Sequence, residues 1–119
     1  MGSGELKNNE ILKFIIERSL ITSKQYDIIS KRFRGERAVQ HRSRGAYYRL
    51  LKQSRDKLSG LVYSLLLLQL IGLLDEQVRN VLDRLSKQVA VTQSSGIDEQ
   101  VARDVIRVMD ELVRRITKL

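Results

Sequence analysis

The chain has 119 residues, which suits one domain with a real core, and its 42% hydrophobic and 30% charged residues are typical of a folded protein. It contains no cysteine, which excludes disulfides and thiolate metal sites, and no proline, which permits long helices. The net charge is +8, and residues 31–57 alone hold ten bases against two acids, while the rest of the chain has twelve of each. A single-sign concentration of this kind usually faces a polyanion, and a basic surface that only keeps the chain soluble is the alternative.

The N-terminal part of the chain predicts two helices. Residues 1–4, MGSG, are interpreted as an expression-vector remnant, and no signal peptide follows, so we expect a cytoplasmic protein. Apolar residues then recur every three or four positions over residues 5–20, which predicts the first helix. Thr22 with Gln25 three residues later forms a capping-box pattern that opens the second helix, and Gly35 is expected to end it. The apolar positions of the second helix are Tyr26, Ile28, Ile29 and Phe33.

The third helix is predicted to be the longest. Residues 35–43 before it are polar and aperiodic, which predicts a loop and leaves a minor β element open. Ser43 is expected to cap the helix, because serine oxygens accept hydrogen bonds from the first free amides. The apolar pattern then runs to Ile71, with Gly60 as a candidate bend and Gly72 as the expected end.

Residues 58–74 carry no charge. A stretch of this length and composition is compatible with a marginal membrane span or with a helix at the centre of a globular core. We expect a central core helix over residues 58–72, because serines, glycines and a glutamine interrupt the stretch and the flanking amphipathic helices need a surface to pack against. Membrane insertion is therefore not expected.

The C-terminal part predicts a helical hairpin over residues 75–92 and 98–118. Asp75 and Asp98 are expected to cap these two helices. Each is the first residue of a DEQV sequence, which we interpret as the same acidic helix-start chemistry used twice, with a short duplicated unit as the alternative. Apolar residues of the last helix follow the 3–4 spacing of a heptad seam, which predicts a homodimer unless all of them pack internally. The residues predicted for dimerisation are Val105, Met109, Leu112 and Ile116.

These elements predict an all-α fold. About five helices are expected around the central apolar helix, in a single domain over residues 5–119 with a helix-turn-helix-like N-terminal half. The sequence does not favour an enzyme, because its one histidine, His41, lies in the basic loop and no phosphate loop, metal-ligand spacing or nucleophile context is present. We therefore expect no catalytic residues, no metal site and no cofactor.

The basic segment, residues 31–57, divides its side chains between two helix faces. At 100° per residue, Tyr47 falls with the apolar residues of the third helix, whereas Tyr48 falls among cations, with Arg49 at the edge. Tyr48 is expected to contact nucleic acid, or alternatively to cover arginine stems by cation–π contact. The residues predicted to bind nucleic acid are Arg32, Arg34, Arg37, Arg42, Arg44, Tyr48, Arg49, Lys52 and Arg55.

A resemblance to known DNA-binding domains is carried by LITSKQYDIISKRFRG followed by SRGAYYRLLKQSRDKL. Over about residues 20–58 these stretches resemble the helix-turn-helix of sigma-factor region-4-like and LuxR-like domains. Those domains have a short helix and a glycine turn before the recognition helix, where this chain has only ERAVQHR. The resemblance implies a recognition helix in the major groove carrying Arg44, Tyr48, Arg49 and Lys52, with Arg42 and Ser43 near the DNA backbone.

Two functions are compatible with the sequence. The first is nucleic-acid binding, with duplex DNA as the expected ligand, by a homodimeric transcriptional regulator or chromosome-associated factor. The second is a helical adaptor whose basic segment docks on an acidic protein partner or an anionic membrane surface.

Overall fold

The computed structural model describes residues 5–6, 10–36, 43–94 and 97–119. Over these residues the fold is all-α, as the sequence predicts, with five helices and one pair of two-residue strands. The elements are, in chain order, β1 (Glu5–Leu6), α1 (Glu10–Arg18), α2 (Ser23–Phe33), α3 (Arg44–Ile71), α4 (Glu76–Ser94), β2 (Ile97–Asp98) and α5 (Glu99–Thr117). The chain divides into two compact units, the first Met1–Ile15 with Leu68–Leu119 and the second Ile16–Leu67.

The two strands are formed by other residues than the 35–43 stretch in which a β element was left open. β1 and β2 are antiparallel, with Glu5 opposite Asp98. Most of the predicted loop, residues 37–42, lies outside the described residues. The prediction of one helix over residues 5–20 is wrong at its start, because Leu6 pairs in the strand and α1 begins only at Glu10.

Four helices begin with the cap that the sequence predicts. At α2 the capping box is complete, since Thr22 Oγ1 accepts a hydrogen bond from the Gln25 backbone at 3.1 Å and Gln25 Oε1 accepts one from the Thr22 backbone at 3.1 Å. The remaining three caps are single side-chain oxygens, each accepting a hydrogen bond from a backbone N–H three residues later. They are Ser43 on Ala46 at 3.1 Å, Asp75 on Val78 at 2.9 Å and Asp98 on Val101 at 2.8 Å.

Two helices end at the predicted glycines. Gly35 and Gly72 have φ of +74° and +89°, a region that glycine enters without steric cost. After α3, the Leu73 amide donates to the Leu68 carbonyl at 3.1 Å and the Gly72 amide donates to the Gln69 carbonyl at 3.0 Å. This pair of bonds is a Schellman motif, and it satisfies carbonyls that the helix end leaves free. α3 continues through Gly60, the candidate bend, without a break.

The core of the first unit is built from α1, α4 and α5. Its buried side chains are Ile11, Leu74, Val78, Leu85, Ala102, Val105 and Leu112. Arg115 of α5 donates a hydrogen bond to Gln77 Oε1 of α4 at 2.6 Å. The predicted dimer seam lies in this core: Val105 and Leu112 are buried, and Met109 and Ile116 pack against them. Packing within one chain therefore involves all four of these side chains, and pairing of α5 with a second copy stays a prediction.

The second unit is centred on a small buried set from α2 and α3. Ile28, Leu51 and Ser54 are buried, and the Ser54 hydroxyl donates to the Leu50 carbonyl at 2.8 Å, so this polar group is satisfied inside its own helix. Phe33 departs from the prediction, because this apolar position of α2 is 91% exposed.

The prediction that residues 58–72 form a buried core helix is wrong for most of its length. Within α3 this stretch presents side chains that are each more than half exposed: Val62, Tyr63, Leu65, Leu66, Leu67, Leu70 and Ile71. Leu68 is the member that packs against the core of the first unit. In the described part of the chain, no helix combines the length and apolar character that crossing a bilayer requires.

Candidate nucleic-acid interface

The candidate interface begins at the capped N-terminus of α3. Arg44 is the first helical residue, and the first turn contains no acidic side chain. A cation at this end is unfavourable, because the peptide dipoles already make a helix N-terminus positive. A Cβ on Gly45 would lie 3.7 Å from Nη1 of Arg49, so the Arg49 guanidinium lies back along the helix toward the same end. The sequence thus gathers positive charge at a point where helix stability favours negative charge.

One face of α3 is exposed and basic, as the helical wheel predicts. Arg44, Tyr48, Lys52 and Arg55 follow one another at spacings of four, four and three, and all four are exposed. With a rise of about 1.5 Å per residue, the face extends for roughly 16 Å along the helix. Arg49 is exposed at its edge. We call these five residues the basic face.

The arginines of the basic face are not paired with acidic side chains of the described residues, so their charge can attract an anion. Lys52 pairs with Asp56 at 3.0 Å. Among the described residues, neither Arg44 nor Arg49 nor Arg55 has an acidic partner within ion-pair distance. Exposed guanidiniums with free donors suit bidentate contacts to phosphate.

The two adjacent tyrosines separate as expected. Tyr48 is 57% exposed on the basic face, whereas Tyr47 is half-buried. Their rings meet edge to face, with centroids 5.5 Å apart and planes at 71°. The Tyr48 ring thus packs edge to face on Tyr47 while most of its surface stays exposed on the basic face.

A cleft between α2 and α3 brings one further cation, Arg32, close to the basic face. Arg32 of α2 and Arg55 of α3 line the same cleft, of about 330 Å³, together with exposed Phe33. Its remaining lining consists of Ile28, Ile29, Leu51, Ser54 and Leu58. Sequence analysis missed Phe33 as a candidate contact, although an aromatic residue between two arginines, in Arg32-Phe33-Arg34, was the available signal.

The other predicted contacts fall into two groups. Arg34 is exposed after the end of α2 and pairs with Glu36, so part of its charge is neutralised. Arg37 and Arg42 lie outside the described residues, as does His41. The structure thus brings Arg32 and Arg55 to one cleft and places the remaining described candidates on α3 or next to the end of α2.

Comparison with protein families, with curated proteins and with solved structures finds no match to this chain. In the part of the chain that the structure describes, no three His, Asp or Glu side chains come together in a group that could hold a metal ion. The candidate site offers cationic donors, one exposed tyrosine and one exposed phenylalanine.

Proposed function

We propose that the protein binds duplex DNA through the basic face of α3. The observation that carries the proposal is the placement of Arg44, Tyr48, Lys52 and Arg55 along one exposed side of a regular helix. An α-helix fits the major groove, which is about 12 Å wide, and a face of arginine, lysine and tyrosine offers donors to phosphates and to base edges.

The position of Arg44 argues against charge that serves solubility alone. A basic residue in the first turn opposes the helix dipole at a cost of about 0.3 to 1 kcal/mol, and an acidic residue there would stabilise α3. Solubility is supplied equally well by charge elsewhere on the surface. A bound anion at this helix end offsets the unfavourable energy of Arg44, because the backbone N–H groups and the guanidiniums both attract it.

The cations of α2 extend the proposed contact. Arg32 shares a cleft with Arg55, so a DNA backbone that follows α3 passes within reach of the end of α2. Exposed Phe33 beside them offers an apolar surface to a sugar or a base. A chain that binds duplex DNA in this way acts as a transcriptional regulator or as a chromosome-associated factor.

A helical adaptor is the second candidate, and one observation favours it. The helix that carries the basic face also carries exposed apolar side chains such as Val62 and Leu66. Cations followed by exposed apolar residues suit an anionic membrane surface or an acidic protein partner. In this case the basic segment docks the chain, and nucleic acid is not the ligand.

A salt titration of duplex DNA binding tests the proposal. Five exposed cations, Arg32 and the four of the basic face, predict that log K falls against log salt with a slope of about −4 or steeper per chain. Fluorescence anisotropy of a labelled duplex, repeated over a series of salt concentrations, measures the slope. A flat salt dependence, or binding to anionic vesicles without binding to DNA at low salt, would contradict DNA binding and favour the adaptor.

A further inference from the structure

The exposed apolar side chains of α3 form a surface that is unusually large for one chain. Six of them, Val62, Tyr63, Leu66, Leu67, Leu70 and Ile71, face one side of the helix at 100° per residue, and we call these six the apolar surface. With on the order of 100 Å² exposed on each, they present roughly 600 Å² per chain, above the few hundred Å² that a typical monomer leaves uncovered. That area lies at the lower end of the roughly 600 to 1,000 Å² that each partner contributes to a standard protein–protein interface.

The arrangement of these residues suits another helix. Val62, Leu66 and Leu70 follow one another at intervals of four and form one ridge, and the residues one position later form a second ridge beside it. Two parallel ridges enclose a groove, and the ridge of another α-helix fits such a groove in the commonest helix packing of globular proteins. The apolar surface therefore matches the shape of a copy of itself.

The charges select a second copy over a membrane. A helix that lies in a membrane surface places one apolar face inward and basic residues on its other side, at the headgroups. Residues 58–74 contain no charged side chain, so this part of α3 has no basic side to place there. An acidic or basic protein partner likewise finds no charge here to recognise.

The basic face sets the direction of pairing. A parallel pair would bring Arg55 and the rest of the basic face beside the same cations of the second copy. An antiparallel pair centred near Leu66 places the two Arg55 residues about 33 Å apart, from 22 residues at about 1.5 Å each. That separation is several times the Debye length of about 8 Å at physiological salt, so the repulsion is screened.

We propose that the protein forms an antiparallel, two-fold symmetric homodimer in which the apolar surface of α3 packs against the apolar surface of a second copy, with Leu66 near the axis. The area, the two ridges and the absence of charge carry this proposal, and it does not rest on DNA binding. Each half of the dimer uses the same patch, as a closed two-fold interface requires.

Sedimentation equilibrium and a single-cysteine crosslink test the dimer. The wild-type chain should have twice its 13.8 kDa mass at micromolar concentration. Leu66→Glu places two carboxylates at the axis and should raise the dissociation constant at least about a hundredfold, with an unchanged far-ultraviolet circular dichroism spectrum. Val113→Glu is the matched control, because Val113 is 58% exposed and Leu66 is 54% exposed, and it should remain dimeric.

The crosslink reports whether residue 66 lies near the two-fold axis. Because the chain has no cysteine, Leu66→Cys introduces a single thiol, and a short bismaleimide should join two copies through it. The same reagent should leave Val113→Cys uncrosslinked. A monomeric wild-type chain would overturn the proposal, whether or not it binds vesicles containing anionic lipid. A dimer that survives Leu66→Glu and fails to crosslink at residue 66 would also overturn it.

Discussion

Replacing Arg44, Arg49 and Arg55 together with glutamine should weaken duplex DNA binding about a hundredfold to a thousandfold at 0.1 M salt, because each phosphate neutralised releases close to one counterion. The salt slope should become shallower by about one unit for each arginine removed, or roughly three in total. All three side chains are exposed, and none pairs with an acid among the described residues, so the fold should not suffer. Loss of the charge at Arg44 should instead raise the stability of α3 slightly.

The matched control removes the same number of charges elsewhere. Arg84, Arg107 and Arg114 are exposed residues of α4 and α5, and their joint replacement with glutamine lowers the net charge equally. This variant should lose no more than a few-fold in affinity. Equal losses for the two triple variants would mean that binding follows the net charge of the chain, and that α3 has no special role.

Replacing Leu112 with alanine should lower the free energy of unfolding of the first unit by about 2 to 5 kcal/mol, the usual cost of a cavity at a buried leucine. Leu112 is buried in the same core cluster as Val105 and Ala102, so truncating its side chain to alanine leaves a cavity there. Urea denaturation followed by circular dichroism measures the difference from wild type. The adjacent exposed position supplies the comparison, since Val113→Ala should change stability by no more than about 0.5 kcal/mol.

The same denaturation experiment shows whether Leu112 packs inside its own chain or in a dimer contact. If Leu112 acts inside its own chain, the stability lost by Leu112→Ala is the same at two protein concentrations tenfold apart. If α5 instead formed a dimer seam, the variant would dissociate, and the loss would depend on protein concentration. A concentration-dependent loss would support the dimer seam that the heptad spacing predicts.

The ends of the helices were predictable because capping is local chemistry. The capping box of Thr22 and Gln25 and the repeated DEQV each place an oxygen within three residues of the amide it accepts from, so a short sequence contains both partners. Gly35 and Gly72 end helices for an equally local reason, the positive φ that other residues avoid.

The partners of the apolar faces were not predictable in the same way. Periodicity identifies an apolar face, but Val105 and Leu112 have the same spacing whether they meet α4 or a second chain. Residues 58–71 are apolar around most of the helix, so no single face was favoured and the expectation of a buried core was reasonable from sequence alone. Burial depends on the tertiary arrangement, which the pattern does not contain.

The candidate site was also predictable only in part. The exposure of Arg44, Tyr48, Lys52 and Arg55 was predictable, because a long helix fixes which residues share a side. The cleft shared by Arg32 and Arg55 was not, because it depends on how α2 packs against α3. Phe33 was one of the predicted apolar positions of α2, and its exposure beside these arginines is a tertiary feature.

The central claim, that the basic face of α3 is covered when DNA binds, is tested most directly by lysine acetylation with and without duplex DNA. Lys52 on the basic face and Lys87 on α4 are matched, with side chains 78% and 76% exposed and an aspartate partner at 3.0 Å in each case. Mass spectrometry of the acetylated peptides should show Lys52 reacting several-fold more slowly with DNA present and Lys87 reacting at its original rate. Equal rates at Lys52 with and without saturating DNA, or protection of Lys87 instead, would contradict the claim.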